Sequence, residues 1–148
     1  MGTTFVTADG ERGFWMRDGL LELFLRLLAL HLEEPREPGA ATVIRDAWLL
    51  ASRGWFTGCV PHGLEDAVRT DEGRALVRGA IGSLRAALAS APPALDAAVL
   101  NLLGMEGRWE APIETERLVE ISQAFVDLLD GKIDQTARDT RFMPGSRR

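Results

Sequence analysis

The chain has 148 residues, 46% of them hydrophobic and 26% charged, a mix that suits one globular domain and excludes a fibrous or largely disordered chain. At that length folding buries about 70% of the surface an unfolded chain exposes, so a core forms without disulfide or metal staples. Twenty-two acidic against 17 basic residues leave a net charge of −5, whose field repels phosphate backbones and anionic lipid surfaces and so excludes nucleic acid and membrane as first partners.

Residues 1–13 are rich in Thr, Gly and Asp, with Phe5 and Val6 as their only large apolar side chains, and read as an N-terminal arm. The start of the chain has none of the basic, apolar and small-residue blocks of a secretory signal, and Cys59 is the only cysteine, which together predict a cytoplasmic protein. A helical pattern runs from Phe14 to about Glu33, with Asp18 at its first turn. Asp18, Glu22 and Arg26 recur every four residues as a narrow polar stripe, so neighbouring helices should surround this one, and Glu22 and Arg26 have the acid-first spacing of an ion pair. Its apolar run from Leu20 to Leu32 is 13 residues and contains Glu22, Arg26 and His31, too short and too charged to cross a bilayer.

Pro35, Pro38 and Gly39 predict a loop. Thr42–Ser52 then reads as a helix with Val43, Ile44, Ala47, Trp48 and Leu50 available to the core, and Gly54 ends it. Trp55 to His62 is irregular, because Gly58, Pro61 and Gly63 interrupt it. After a turn or two of helix at Leu64–Arg69, Thr70 caps a longer helix whose buried face carries Val77, Ile81, Leu84 and Leu88; Gly79 and Gly82 suggest a close helix contact. Pro93 opens a helix that stops at Gly104, Met105–Ile113 forms a loop, and a last helix spans Thr115–Asp130 before Gly131. Residues 135–148 carry Arg138, Arg141, Arg147 and Arg148 and read as a frayed tail. The expected fold is therefore all-α: a bundle of five or six helices over residues 14–134, orthogonal or up-and-down.

Chemistry-bearing patterns are few. His31, His62 and Cys59 are the only nitrogen and sulfur ligands and do not cluster, and the acids near Glu65 lack calcium-loop spacing, so no metal or cofactor is expected. No glycine-rich phosphate cradle occurs. Cys59 and His62 lie three residues apart, but a thiolate mechanism also needs exposure and an orienting third group; Cys59 reads better as a small buried hydrophobe. His31 reads as a helix-end residue favoured by the dipole. The chain resembles no family whose residues can be matched to it position by position.

The composition is read most simply as a bacterial-type, cytoplasmic protein-binding module that neutralises a basic partner in the manner of immunity proteins and antitoxins. Trp55 and Phe56 are adjacent and hard to bury together, so one ring should reach the surface as an anchor. His62 follows them, and Glu65, Asp66, Asp71 and Glu72 would steer the basic partner toward that site. Two rival readings are an enzyme or small-ligand binder with an interhelical pocket lined by Trp48, Trp55 and Trp109 around Cys59 and His62, and a structural homo-oligomer.

Overall fold

The computed structural model describes residues 2–33 and 36–147. The first departure from expectation is at the amino end, where the arm is a β-hairpin. Strands β1 (Thr3–Thr7) and β2 (Gly13–Arg17) pair antiparallel with Val6 opposite Phe14 and Phe5 opposite Trp15. Alternation explains it: Thr4, Val6, Phe14 and Met16 turn inward, while Phe5 and Trp15 stack on the outer face with ring centroids 5.4 Å apart. The turn is held by Thr7 and Asp9, whose side chains accept backbone N–H bonds from residues 9 to 12.

Helix α1 (Asp18–His31) follows directly and is the centre of the molecule, with Leu21, Leu23, Phe24, Leu25 and Leu28 all inaccessible to water. Helices α2 (Ala40–Ala51) and α4 (Asp71–Ala89) pack on it, and α6 (Thr115–Leu129) packs on α4, so that Phe24 and Phe125 meet at 4.6 Å between ring centroids. Phe24, Leu28, Leu84 and Phe125 are buried as their spacing predicts. The remaining elements are short: α3 (Leu64–Ala67), β3 (Ala94–Leu95) paired antiparallel with β4 (Ile113–Glu114), α5 (Ala97–Leu100), and a 3-10 turn at Asn101–Leu103.

The all-α expectation is thereby corrected. Among the described residues six helices and two small two-stranded sheets make a mixed architecture, about 49% helix and 11% strand. The strands were hidden because each is five residues or fewer, and because the alternation in Thr3–Thr7 uses Thr4 and Thr7 at buried positions where large apolar residues are the usual signal. Pro93 precedes a strand, and the helix beyond it is a single turn passing into the 3-10 turn.

Other details differ as well. Val43 and Leu50 face solvent on α2, and Val99 is exposed on α5. Glu22 and Arg26 form no ion pair; the Arg26 guanidinium instead donates to the Leu49 carbonyl at 3.2 Å. A Cβ at Gly79 or Gly82 would meet nothing within 4 Å, whereas one at Gly73 would fall 1.8 Å from the Ala67 carbonyl oxygen, so the close approach is between α4 and the end of α3. The tail is docked, not frayed: Gly13 donates to the Gln135 carbonyl, Trp15 Nε1 to Ala137, Arg117 Nε to Gly145, and Arg147 forms a two-pronged pair with Glu120. Pro35 of the predicted loop and Arg148 of the tail lie outside the described residues.

No helix among the described residues is long and apolar enough to cross a membrane.

Candidate functional site

The irregular segment after α2 divides at Thr57. Its second half is bound to the hairpin and to α1 by polar contacts. Asp18, in the first turn of α1, accepts from the Thr4 hydroxyl and from the Gly58 N–H, both at 2.7 Å, and the same Thr4 oxygen accepts from the Val60 N–H at 3.0 Å. Asp18 therefore does not cap its own helix; its carboxylate ties three separate pieces of chain together. Gly58 has φ +74°, a left-handed conformation that costs any residue with a Cβ, and it is this bend that aims its N–H at Asp18.

His62 closes the segment. Its Nδ1 accepts from the Leu64 N–H at 3.1 Å, and its carbonyl accepts from Trp48 Nε1 at 3.0 Å. With Nδ1 accepting, the proton of the neutral ring is on Nε2. Burial holds its pKa below the ordinary histidine value of 6.5.

Cys59, expected to be buried, is exposed: the N–H groups of Gly58 and Val60 on either side bond inward to Asp18 and Thr4, and the thiol between them lies at the surface. Its thiol lies 3.6 Å from the Thr57 carbonyl and makes no hydrogen bond to His62. The thiol–imidazole pair is thus not assembled, and Nδ1 of His62 already has a backbone partner in the Leu64 N–H.

The first half of the segment is free of such ties. Trp55 is 59% exposed, with the Arg53 guanidinium 5.1 Å from its ring centroid, while Phe56 is half-buried and packs against the core. One ring of the adjacent pair is out and the other in, as two successive side chains on extended chain require. Gly54 and Phe56, on either side of Trp55, line a groove of about 520 Å³ together with Asp18, Glu22 and Glu106. Partial burial, with Asp18 nearby, raises the Glu22 pKa to about 6.

Of the acids named from sequence, Glu65, Asp66, Asp71 and Glu72 are all exposed. Asp66 pairs with Arg69 at 2.9 Å and Asp71 with Arg74 at 3.7 Å, and the Glu65 carboxylate sits by the hairpin turn at Gly10. None of the four lines the groove beside Trp55. Asp66 belongs to a separate, mostly apolar cavity of about 280 Å³ between α2 and α3, whose wall includes Trp48, His62 and Val43. Trp109 lies elsewhere, its backbone clamped by the Asn101 side chain. Glu22 and Glu106 were not named as site residues from sequence; the narrow polar stripe of Asp18, Glu22 and Arg26 on α1 was the available signal for Glu22, and nothing in the loop marked Glu106.

His31, at the end of α1, bonds Ser83 at 2.9 Å. No three His, Cys, Asp or Glu side chains among the described residues converge as a metal site. No protein-family model, curated protein or solved structure matches the chain.

Proposed function

We propose that the chain is a protein-binding module for a basic partner, with Trp55 as the anchor. The observation that carries this reading is an indole more than half exposed whose two chain neighbours line a groove bearing Glu22 and Glu106. Exposed aromatics supply contact area at low entropic cost, and a partner Lys or Arg entering the groove would meet the Glu22 and Glu106 carboxylates, which share the lining with Arg17, while Arg53 already lies over the Trp55 ring. Glu65, Asp66, Asp71 and Glu72 contribute at longer range by steering association. Neutralisation of a basic protein, in the manner of immunity proteins and antitoxins, is the sharpest form of the proposal, and an exposed free thiol at Cys59 fits a reducing, cytoplasmic setting.

The test is capture of the partner from the source cell followed by binding measurements on Trp55→Ala and Glu106→Lys. Loss of a hot-spot aromatic is expected to weaken binding roughly thirtyfold, and the charge reversal to flatten its salt dependence. Unchanged affinity in both folded variants, with unchanged salt dependence, overturns the reading. A second reading, a small-ligand binder, is favoured by the cavity between Trp48, His62 and Val43; its test is protection of Trp48 fluorescence from quenching by an apolar ligand.

A further inference from the structure

Arg26 stands among the buried leucines of α1, and only 9% of it is exposed. Its Nη2 donates to the Leu49 carbonyl at 3.2 Å, its one hydrogen bond among the described residues. That carbonyl, in the last turn of α2, is shared with the Ser52 hydroxyl, and Nε of Arg26 is buried with no acceptor. A guanidinium taken out of water needs a carboxylate or a full set of acceptors, because one neutral carbonyl does not offset its lost hydration. Arg26 pairs with no carboxylate among the described residues.

The charge that acts on it is another cation. Burial and the Arg53 guanidinium both hold the Arg26 pKa below the ordinary arginine value. Arg53 is exposed over the Trp55 ring and has no carboxylate partner among the described residues either. Its carbonyl accepts from the Glu106 N–H at 3.0 Å, which draws the turn at Gly104 toward it. Gly104 is exposed, and a Cβ built there would have Nη1 of Arg26, 3.8 Å away, as its one neighbour within 4 Å from elsewhere in the chain. One edge of the buried guanidinium therefore borders open space at the surface. Glu22 and Glu106 line the groove at Gly54 instead, and the charge acting on Glu22 is that of Asp18.

We infer that Arg26 and Arg53 form a site for the phosphoryl group of a small ligand, held at the Gly104 turn between Nη1 of Arg26 and the Arg53 guanidinium. Two guanidinia without acids set the charge of the ligand: a phosphate dianion answers both, a carboxylate only one. The dipole at the end of α2 supplies about half a negative charge and leaves most of that demand unmet. The net charge of −5 opposes a polyanion far more than a single phosphoryl group, so the ligand is small. The site does not rest on the Trp55 reading, which concerns a basic partner and the carboxylates of the neighbouring groove.

The test is an NMR titration of the isotope-labelled full chain with inorganic phosphate at constant ionic strength, chloride making up the balance. A saturable shift of the Arg26 Nε–H and Gly104 N–H signals is expected, with acetate about tenfold weaker or more. In parallel, the wild-type Tm should climb with the logarithm of phosphate concentration once the site fills. Arg26→Met should lose that climb and, with an unpaired buried charge removed, melt no lower than the wild type in chloride. Arg53→Gln, a surface change, should weaken phosphate binding roughly tenfold. If Arg26→Met does not fold, the wild-type shifts and Arg53→Gln decide. The site is overturned by the absence of a saturable shift at Arg26, by shifts centred on other arginines, by acetate binding as well as phosphate, or by an equal Tm climb in wild type and variants, the mark of a general salt effect. Failure of the Trp55 reading is separately visible, since it is decided by the captured partner and not by phosphate.

Discussion

Residues 54–56 and 57–64 are consecutive pieces of one irregular stretch, yet they are held in opposite ways. The later piece has almost no regular secondary structure and is fixed by side chains reaching from elsewhere, Thr4 from the hairpin and Asp18 from α1, together with its own His62 ring. The earlier piece has one inward ring, Phe56, and an indole lying on the surface under Arg53. A loop becomes rigid when its N–H groups find buried acceptors, and where they do not, its side chains are left available to solvent or to a partner.

Breaking the later piece should be expensive. Asp18→Ala removes the acceptor of both the Thr4 hydroxyl and the Gly58 N–H, and a loss of about 3 kcal/mol in denaturant unfolding is expected, because hydrogen bonds to a charged group are among the strong ones and their partners are left buried. His62→Phe comes next, at about 2 kcal/mol near neutral pH, since it strands the Leu64 N–H. This difference should shrink in acid. The folded-state pKa of His62 lies below 6.5, so the unfolded chain takes up the proton first and the wild type loses stability as pH falls below that value, whereas the Phe variant does not.

Glu22 runs the other way and sharpens the contrast at the groove. Its folded pKa of about 6 exceeds the ordinary 4.5, so protonation favours the fold, and the stability this group contributes is lost as pH rises from 4.5 through 6. Glu22→Gln should therefore melt higher than the wild type above pH 6 and approach it near pH 4, a difference read directly from Tm against pH. The smallest effect is expected at Trp55→Ala, within about 0.5 kcal/mol of wild type. A larger loss would mean that the indole is structural and the division at Thr57 false.

How much of this was legible beforehand differs by the range of the interactions. Helices α1, α2, α4 and α6 were readable because their apolar spacing repeats over three or more turns, and Thr70 caps α4 through Gly73 as its position suggested. The hairpin was not, because five-residue strands with buried threonines carry little periodic signal. That one ring of the Trp55–Phe56 pair is exposed followed from adjacency, but that it is Trp55 did not. The inward locking of Gly58 and Val60, and hence the exposure of Cys59, depends on Thr4 and Asp18, 56 and 40 residues away along the chain, and no local pattern reports it. The same holds for Glu106, brought to the groove when its N–H bonds the Arg53 carbonyl.

The docked tail bears on how the molecule is made. Gly13 and Trp15 bond residues 135 and 137, and Arg12 bridges to Thr136, so the outer face of the hairpin waits for some 120 more residues of synthesis before it is complete. Closing so long a loop is slow relative to helix formation. During synthesis the hairpin therefore forms without the tail, and residues 135–147 can be laid across β2 and α6 only after α6 has been made. A chain released before about residue 137 would have its helices but an unfinished sheet edge, the kind of edge on which neighbouring nascent chains pair.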